Sequence, residues 1–139
     1  MRTATAKAGV KARQRFSDDI LAEFRHSRGL RIRAGTGAHR FIGIWFVVVN
    51  DRVFVRSWSI KPRGWYRTFL EETRGIVKIA AREIAVRAVR TRDKRVRDAV
   101  DRAFLDKYNT HWEARYARDL ASVQSRATTL ELRPFTQTG

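Results

Sequence analysis

The sequence of 139 residues contains no cysteine, only two prolines and one methionine, and fewer than half as many acidic as basic residues. Without cysteine the chain can form neither a disulfide nor a thiolate-ligated zinc or iron–sulfur site, and it has no thiol nucleophile. The longest apolar run, Phe41 to Val49, is about half of the ~20 residues that a membrane span requires. The first fifteen residues lack the apolar segment of a secretory signal. These absences predict a soluble, cytoplasmic protein without a membrane partner.

The sequence does contain enough apolar material for a core. Hydrophobic residues make up 43% of it, and they include eight phenylalanines and four tryptophans. A disordered chain would contain fewer. The length is typical of one domain. We therefore predict a flexible basic tail over residues 1–15, where no apolar periodicity is found, and a single domain over residues 16–139.

The basic excess is concentrated in two parts of the chain. The 30 Lys and Arg against 14 Asp and Glu give a net charge of +16. Residues 1–15 carry +5 and residues 52–97 carry +10, whereas residues 16–51 carry +1 and residues 98–139 are neutral. Any anionic partner is therefore expected at the tail or at the middle block.

Alternation of polar and apolar residues predicts the strands. Leu30 to Arg33 has a period of two, whereas Phe41 to Val49 is apolar on both faces and is expected to form one central strand. Asn50-Asp51 is predicted to be a hairpin turn leading into Arg52–Trp58. The remaining predicted strands are residues 76–80, 84–89 and 128–133.

Helices are predicted between these strands. The first begins near Ser17, and the second covers Gly64 to Thr73 and is expected to end at Gly75. Thr91 is expected to cap a longer third helix, and a fourth is expected to bury the stripe Trp112, Tyr116, Leu120 and Val123. Together the elements predict an α+β domain, with six mostly antiparallel strands in a small, partly open barrel and helices at its edges.

Residues with catalytic or metal-binding potential are few and scattered. The three histidines, His26, His39 and His111, lie far apart and outside the HExxH spacing of a zinc site. No GxSxG or Walker A motif occurs. We therefore expect no metal site, and the catalytic residues stay unknown.

The most informative segment is Arg56–Arg67. It combines four cations, three aromatic residues and two serines at the start of a predicted helix. Cations, hydroxyls and free helix N–H groups bind phosphate oxygens, while indole rings stack on flat ring systems. The segment therefore suits an anionic small-molecule ligand such as a nucleotide or flavin. The same residues also fit a plain structural interpretation, with Trp65 and Tyr66 in the core and a solvated rim of arginines.

A series of motifs resembles an uncharacterised bacterial family, domain of unknown function 2255 (DUF2255), over about Phe16 to Pro134. The motifs occur in the family's order: Ile44–Val49, Val53–Ser57, Gly64–Arg67, Arg74-Gly75, Asp98 to Tyr108, and Ser125–Leu130. More distantly, the order of elements is similar to that of the split-barrel flavin- and deazaflavin-dependent reductases. That likeness implies a split-barrel-like fold, with FMN or a deazaflavin as cofactor and hydride transfer as the activity.

By analogy with the reductases, the implied cofactor-binding residues are Arg56, Ser57, Lys61, Arg63, Trp65 and Tyr66. Many deazaflavin reductases carry a Gly-Arg-Lys-Ser-Gly-type segment before the central strand. It is absent here, and its nearest counterpart is Thr36 to Arg40.

Two other functions stay open at this point. The basic tail and the block 52–97 would suit a non-enzymatic nucleic-acid-binding module, because a net charge of this size attracts polyanions non-specifically. The second of these functions is that of a structural subunit in a homodimer.

Overall fold

The computed structural model describes residues 15–37, 39–58 and 64–135. The predicted tail therefore lies outside the described residues except for Arg15. The helices are α1 (Asp18–His26), α2 (Trp65–Glu71), α3 (Lys94–Lys107), α4 (Glu113–Leu120) and α5 (Val123–Arg126). The strands are β1 (Leu30–Ala34), β2 (Ile42–Ile44), β3 (Phe46–Val49), β4 (Arg52–Val55), β5 (Arg74–Ile79), β6 (Arg82–Arg90) and β7 (Leu130–Pro134). No helix in these ranges is both long enough and apolar enough to cross a membrane.

The strands form one antiparallel sheet that curls into a nearly closed barrel. Their order across the sheet is β2-β1-β5-β6-β7-β4-β3. The outermost strands β2 and β3 follow each other in the chain, and only Trp45 separates them. The two edges of the sheet must therefore approach each other at Trp45. The prediction of an α+β fold with an antiparallel, barrel-like sheet is confirmed.

The structure has seven strands rather than the predicted six. The run Phe41–Val49 is divided at Trp45, because Ile44 pairs with Leu30 of β1 whereas Phe46 pairs with Val55 of β4. Continuous apolar character could not reveal this change of partner, since the residues on both sides of it are buried.

The hairpin turn at Asn50-Asp51 is confirmed. Both residues have positive φ, 51° and 62°, and the flanking Val49 and Arg52 are paired. Asparagine and aspartate tolerate this backbone region better than other non-glycine residues, and two such residues in succession give the twist that a tight hairpin needs.

Two hydrophobic clusters hold the fold together. The larger fills the barrel and includes Phe46, Val53, Val77 and Leu132 together with Tyr66 of α2. The second lies outside β3 and β4 and joins them to the helices; its buried members are Val47, Phe54, Val100, Phe104, Tyr108, Ala117 and Leu120. Because β3 and β4 are covered on both faces, their side chains are apolar on both faces.

Three details of the predicted helices are corrected. Gly75 does not end α2 but lies inside β5, and Asp93 rather than Thr91 caps α3 by accepting a hydrogen bond from Val96 N. The predicted stripe on α4 is only partly correct, because Leu120 is buried whereas Trp112 and Tyr116 are 64% and 42% exposed. The buried face of α4 consists of Glu113, Ala117 and Leu120, so its first two positions lie one residue later than predicted.

Candidate functional site

A cavity of about 470 Å³ lies between the end of β1, the segment before β2 and the first turn of α2. We call it the Trp65 cavity; its lining residues are Ile32, Ala34, His39, Arg40, Phe41, Ile42, Trp65 and Thr68. Its volume falls within the range of small-molecule sites, about 300–1,000 Å³. Trp65 and Thr68 are three residues apart on α2, which places them on the same helix face.

The turn over Gly35–Gly37 is fixed to α2 beside this cavity. Gly35 has a φ of +78°, and a Cβ atom there would lie 3.0 Å from Thr68 Cγ2 and 3.1 Å from Glu72 Oε2. Thr36 Oγ1 donates a 2.5 Å hydrogen bond to Glu72 Oε1, and this bond lowers the pKa of the Glu72 carboxyl. Glycine at position 35 thus permits the close approach that positions the following residues, His39 to Phe41.

The polar groups at the Trp65 cavity are basic or neutral. Arg40 and His39 are exposed, and none of the described lining residues is acidic. The Phe41 ring is contacted by two further cations, with Arg33 Cζ at 4.8 Å and Lys78 Nζ at 4.3 Å from its centroid. The cavity therefore presents aromatic rings and positive charge to whatever enters it.

The aromatic pair predicted at the start of α2 divides between two environments. Tyr66 is buried in the barrel core, whereas Trp65 is half-buried and lines the cavity. Trp65 packs edge-on against Phe69, with ring centroids 6.1 Å apart. Of the two residues, Trp65 is placed to meet a ligand.

Arg56 lies in the interior and has intramolecular partners at each guanidinium nitrogen. Only 1% of the residue is exposed, and its Nη1 donates to Asp101 Oδ1 at 2.5 Å and to Leu120 O at 2.9 Å. Nε donates to Thr129 Oγ1 and Nη2 to Arg97 O. Burial lowers the pKa of Arg56, although the Asp101 hydrogen bond opposes this effect. A phosphate could reach Arg56 only by displacing these partners, so the geometry gives it a structural role, apart from the Trp65 cavity.

Ser57 is also buried. Its backbone N–H donates to Thr128 Oγ1 at 2.8 Å, and its carbonyl accepts from Ser125 Oγ at 2.8 Å. Lys61 and Arg63, the other two predicted ligand residues, lie outside the described residues. The structure thus places Trp65 with His39, Arg40 and Phe41 rather than with Arg56 and Ser57. The sequence signal for this grouping was the Thr36–Arg40 segment.

A second group of ionisable residues links the segment after α1 to β3 and to the end of α3. Lys107 Nζ donates to Phe46 O at 2.9 Å and lies 3.5 Å from the centroid of the Phe46 ring. Burial, assisted by the charge of Arg28, lowers the pKa of Lys107 from 10.5 to about 8. Burial also raises the pKa of the neighbouring Tyr108 from 10.0 to about 12.

These shifts predict a pH dependence of stability. Between pH 8 and about 10.5 the unfolded state binds a proton at Lys107 that the folded state has lost, so the free energy of unfolding rises with pH. Above about pH 10 the unfolded state releases the Tyr108 proton that the folded state retains, so stability falls again. Urea unfolding from pH 7 to 11 should show both slopes. The variant Lys107→Met should lose the rise between pH 8 and 10, and an unchanged rise would contradict the assignment.

Comparison with solved structures identifies the architecture. The heme storage protein HutZ from Vibrio cholerae superimposes with a TM-score of 0.59 at 13% identity, covering 90% of this chain and 92% of HutZ. A Listeria innocua protein provisionally named a pyridoxamine 5′-phosphate oxidase superimposes with a TM-score of 0.58 at 12% identity. The match covers 87% of this chain and 93% of the Listeria protein. The conserved hypothetical protein Rv2991 from Mycobacterium tuberculosis superimposes with a TM-score of 0.54 at 12% identity. The match covers 91% of this chain and 84% of Rv2991. At such identities the likeness shows the fold, which is that of split-barrel proteins.

Sequence comparison gives the family. No curated protein sequence matches this chain. The model of one family, described as an uncharacterised protein conserved in bacteria, matches residues 21–132, which is most of the described domain. The resemblance found in the motifs is thereby confirmed: the chain belongs to the DUF2255 family.

Proposed function

We propose that the protein binds a flat, anionic small molecule, of the flavin mononucleotide or deazaflavin type, in the Trp65 cavity. The observation that carries the proposal is the presence of Trp65, Phe41 and Arg40 around one cavity of about 470 Å³. The rings can stack on a flat ring system, and the guanidinium can pair with a phosphate. Thr68 adds a hydroxyl, and the apolar residues Ile32 and Ile42 line the same space.

The charge around the cavity supports an anion rather than a neutral ligand. Arg40 lines the cavity. Arg33 and Lys78, whose side chains lie on the outer face of the sheet, contact the Phe41 ring and add positive charge near the cavity at longer range. Glu72, the carboxylate near this turn, stays ionised while it accepts a hydrogen bond from Thr36, but it is not among the residues that line the cavity. A dianionic phosphate in the cavity would therefore meet attraction from several side chains at once.

Lys61 and Arg63 are proposed to complete the site. Both precede Trp65 by four residues or fewer. Their positive charge and their proximity in sequence make these two cations proposed partners for the phosphate end of the ligand.

A bound flavin or deazaflavin would supply the hydride-transfer chemistry. The contribution of this chain is to orient the ring system with Trp65 and Phe41 and to offset the phosphate charge with Arg40. No side chain acts as an acid or base in this proposal. The protein would then be an oxidoreductase whose reactivity belongs to the cofactor.

Titration by calorimetry with FMN, a deazaflavin cofactor and hemin tests the proposal. Hemin is included because HutZ is a heme storage protein and heme is also flat and anionic. We expect FMN or the deazaflavin to bind, and Trp65→Leu to weaken binding by about 1–3 kcal/mol, the range of one stacking contact. Arg40→Gln should weaken it further when phosphate is present on the ligand, because a charge-assisted bond contributes roughly 1.5–3 kcal/mol.

Matched controls are available at helix α4. Trp112 is 64% exposed and Arg118 is exposed, and neither lines the cavity. Trp112→Leu and Arg118→Gln should therefore leave binding unchanged. Absence of binding by FMN and deazaflavin to the wild-type protein would refute the proposal, and tight binding of hemin alone would redirect it to heme.

A further inference from the structure

One outer face of the barrel carries a dense set of cations. It is formed by side chains of β1, β5, β6 and β7 that point away from the core. We call it the cationic sheet face; its cations are Arg31, Arg33, Arg74, Lys78, Arg87 and Arg133. The helices pack mainly against β3 and β1, and Arg31, Arg74 and Arg87 are exposed.

The strand register places these cations directly opposite one another. Arg74 pairs with Arg87, and Arg87 pairs with Arg133, so three arginines stand in one row across three neighbouring strands. Arg31 and Lys78 are similarly opposed. Neighbouring strands are about 4.8 Å apart, and like charges in directly opposed positions destabilise a sheet. The fold therefore retains an arrangement that costs stability.

Carboxylates on this face offset only part of the charge. Glu83 lies 3.7 Å from Lys78, and Glu131 accepts from both Arg133 and Arg52. Within the described part of the chain, Arg31, Arg74 and Arg87 make no ion pair. The middle of the arginine row thus has no acidic partner of its own.

A cavity of about 470 Å³ lies at the end of the arginine row. Arg87, Arg90 and Arg133 line it together with the hydroxyl-bearing Thr73, and no acidic residue is among its described lining residues. Arg87 and Arg133 belong to the arginine row, and guanidinium groups at this end of the row can pair with a phosphate.

We propose that the cationic sheet face binds single-stranded nucleic acid through its phosphates. A chain of linked phosphates can neutralise several opposed arginines at once, which a single small anion cannot do. A half-buried ring on the same face, Phe135, lies beside Arg74 and can stack on a base.

Two features favour this occupant over others. A second copy of the chain docked through the same face would oppose cations to cations. The residues before Arg15 carry four more cations and no acid, and Arg15 lines a groove together with Phe135, next to this face. Three of the six cations on the face come from outside the basic block at residues 52–97; they are Arg31, Arg33 and Arg133. Strand pairing brings them beside the cations of that block, so the surface is not visible as one charged run in the sequence.

Fluorescence anisotropy with a labelled oligothymidine of about 20 nucleotides tests the proposal. The double variant Arg74→Gln/Arg87→Gln removes two cations from the row, and Arg102→Gln/Arg118→Gln removes two exposed cations from α3 and α4 as a matched control. Each lost phosphate contact lowers the slope of log affinity against log salt by about 0.7. We expect the first variant to lose about 25-fold in affinity at 0.1 M salt and about 1.4 in slope, and the control to lose little.

Several results would overturn the proposal. Equal losses in both double variants would mean attraction by net charge alone. Binding to vesicles of anionic lipid that depends on Arg74 and Arg87, with no binding to the oligonucleotide, would assign the face to a membrane. Neither arginine lines the Trp65 cavity, so FMN binding should be unaffected in the Arg74→Gln/Arg87→Gln variant, and the two proposals can fail independently. The unfolding temperature of this variant should equal or exceed that of the wild-type protein, because opposed charges are removed.

Discussion

Replacement of Arg56 by methionine is expected to lower the free energy of unfolding by about 3–5 kcal/mol, the range for breaking a buried ion pair from one side. Arg56 joins β4 to α3 through Asp101 and to the end of α4 through Leu120 O. Methionine retains part of the apolar stem but donates no hydrogen bond. The buried oxygens of Leu120, Arg97 and Thr129 would each lose a donor.

Urea unfolding of three variants alongside the wild-type protein would isolate this effect. Arg118→Met is the matched control, because Arg118 is exposed and its loss should change stability by no more than about 0.5 kcal/mol. The free energy of unfolding of Arg56→Lys should lie between those of Arg56→Met and Arg118→Met, because lysine keeps the charge but lacks the planar, forked guanidinium group. A stable Arg56→Met variant with weakened FMN affinity would instead return Arg56 to the ligand site and contradict the structural assignment.

Substitution of Gly75 by alanine should destabilise the protein by about 2–3 kcal/mol, near the upper end of the usual cost of overpacking. A Cβ atom at this position would lie 2.6 Å from Arg33 O and 2.8 Å from Phe69. The first of these is a backbone atom of the neighbouring strand β1, so it cannot turn away as a side chain could. Relief of the clash would have to separate β1 from β5 or displace α2.

Gly43 provides the matched control for this substitution. It lies in strand β2, and no atom lies within 4 Å of the position that its Cβ would occupy. Gly43→Ala should be neutral or stabilise by up to about 1 kcal/mol, because alanine restricts the unfolded chain. Equal stabilities of the two alanine variants, measured by thermal or urea unfolding, would contradict the crowding at Gly75.

Local patterns were sufficient to predict much of the barrel. The hairpin at Asn50-Asp51 and the alternating strand Leu30–Arg33 depend on neighbours in sequence, and both lie where the pattern placed them. Gly75 shows where such patterns fail. A glycine after a helix is typical of a helix end. Here glycine is required by the close approach of Arg33 O, which lies 42 residues earlier in the chain.

The candidate site was predictable only in part, for a related reason. A cation in an aromatic segment has the same local signature whether it binds a phosphate or is buried against a carboxylate. The partners of Arg56 lie 41 to 73 residues away in sequence, so its burial depends on tertiary packing. The sequence of its segment was enough to identify Trp65 as a candidate. Its proximity to Arg40 depends on the packing of the Gly35 turn against α2, which the sequence does not reveal.

The separation of β2 and β3 by Trp45 alone has a consequence for the order of folding. These adjacent strands end at opposite edges of the sheet, so the strands between them must be inserted before the barrel can close. The last of these is β7, which pairs with both β4 and β6. Until about residue 134 has left the ribosome, β4 and β6 each present an unpaired edge. Pairings over such long sequence separations form slowly, and during that interval the chain is exposed to aggregation through those edges.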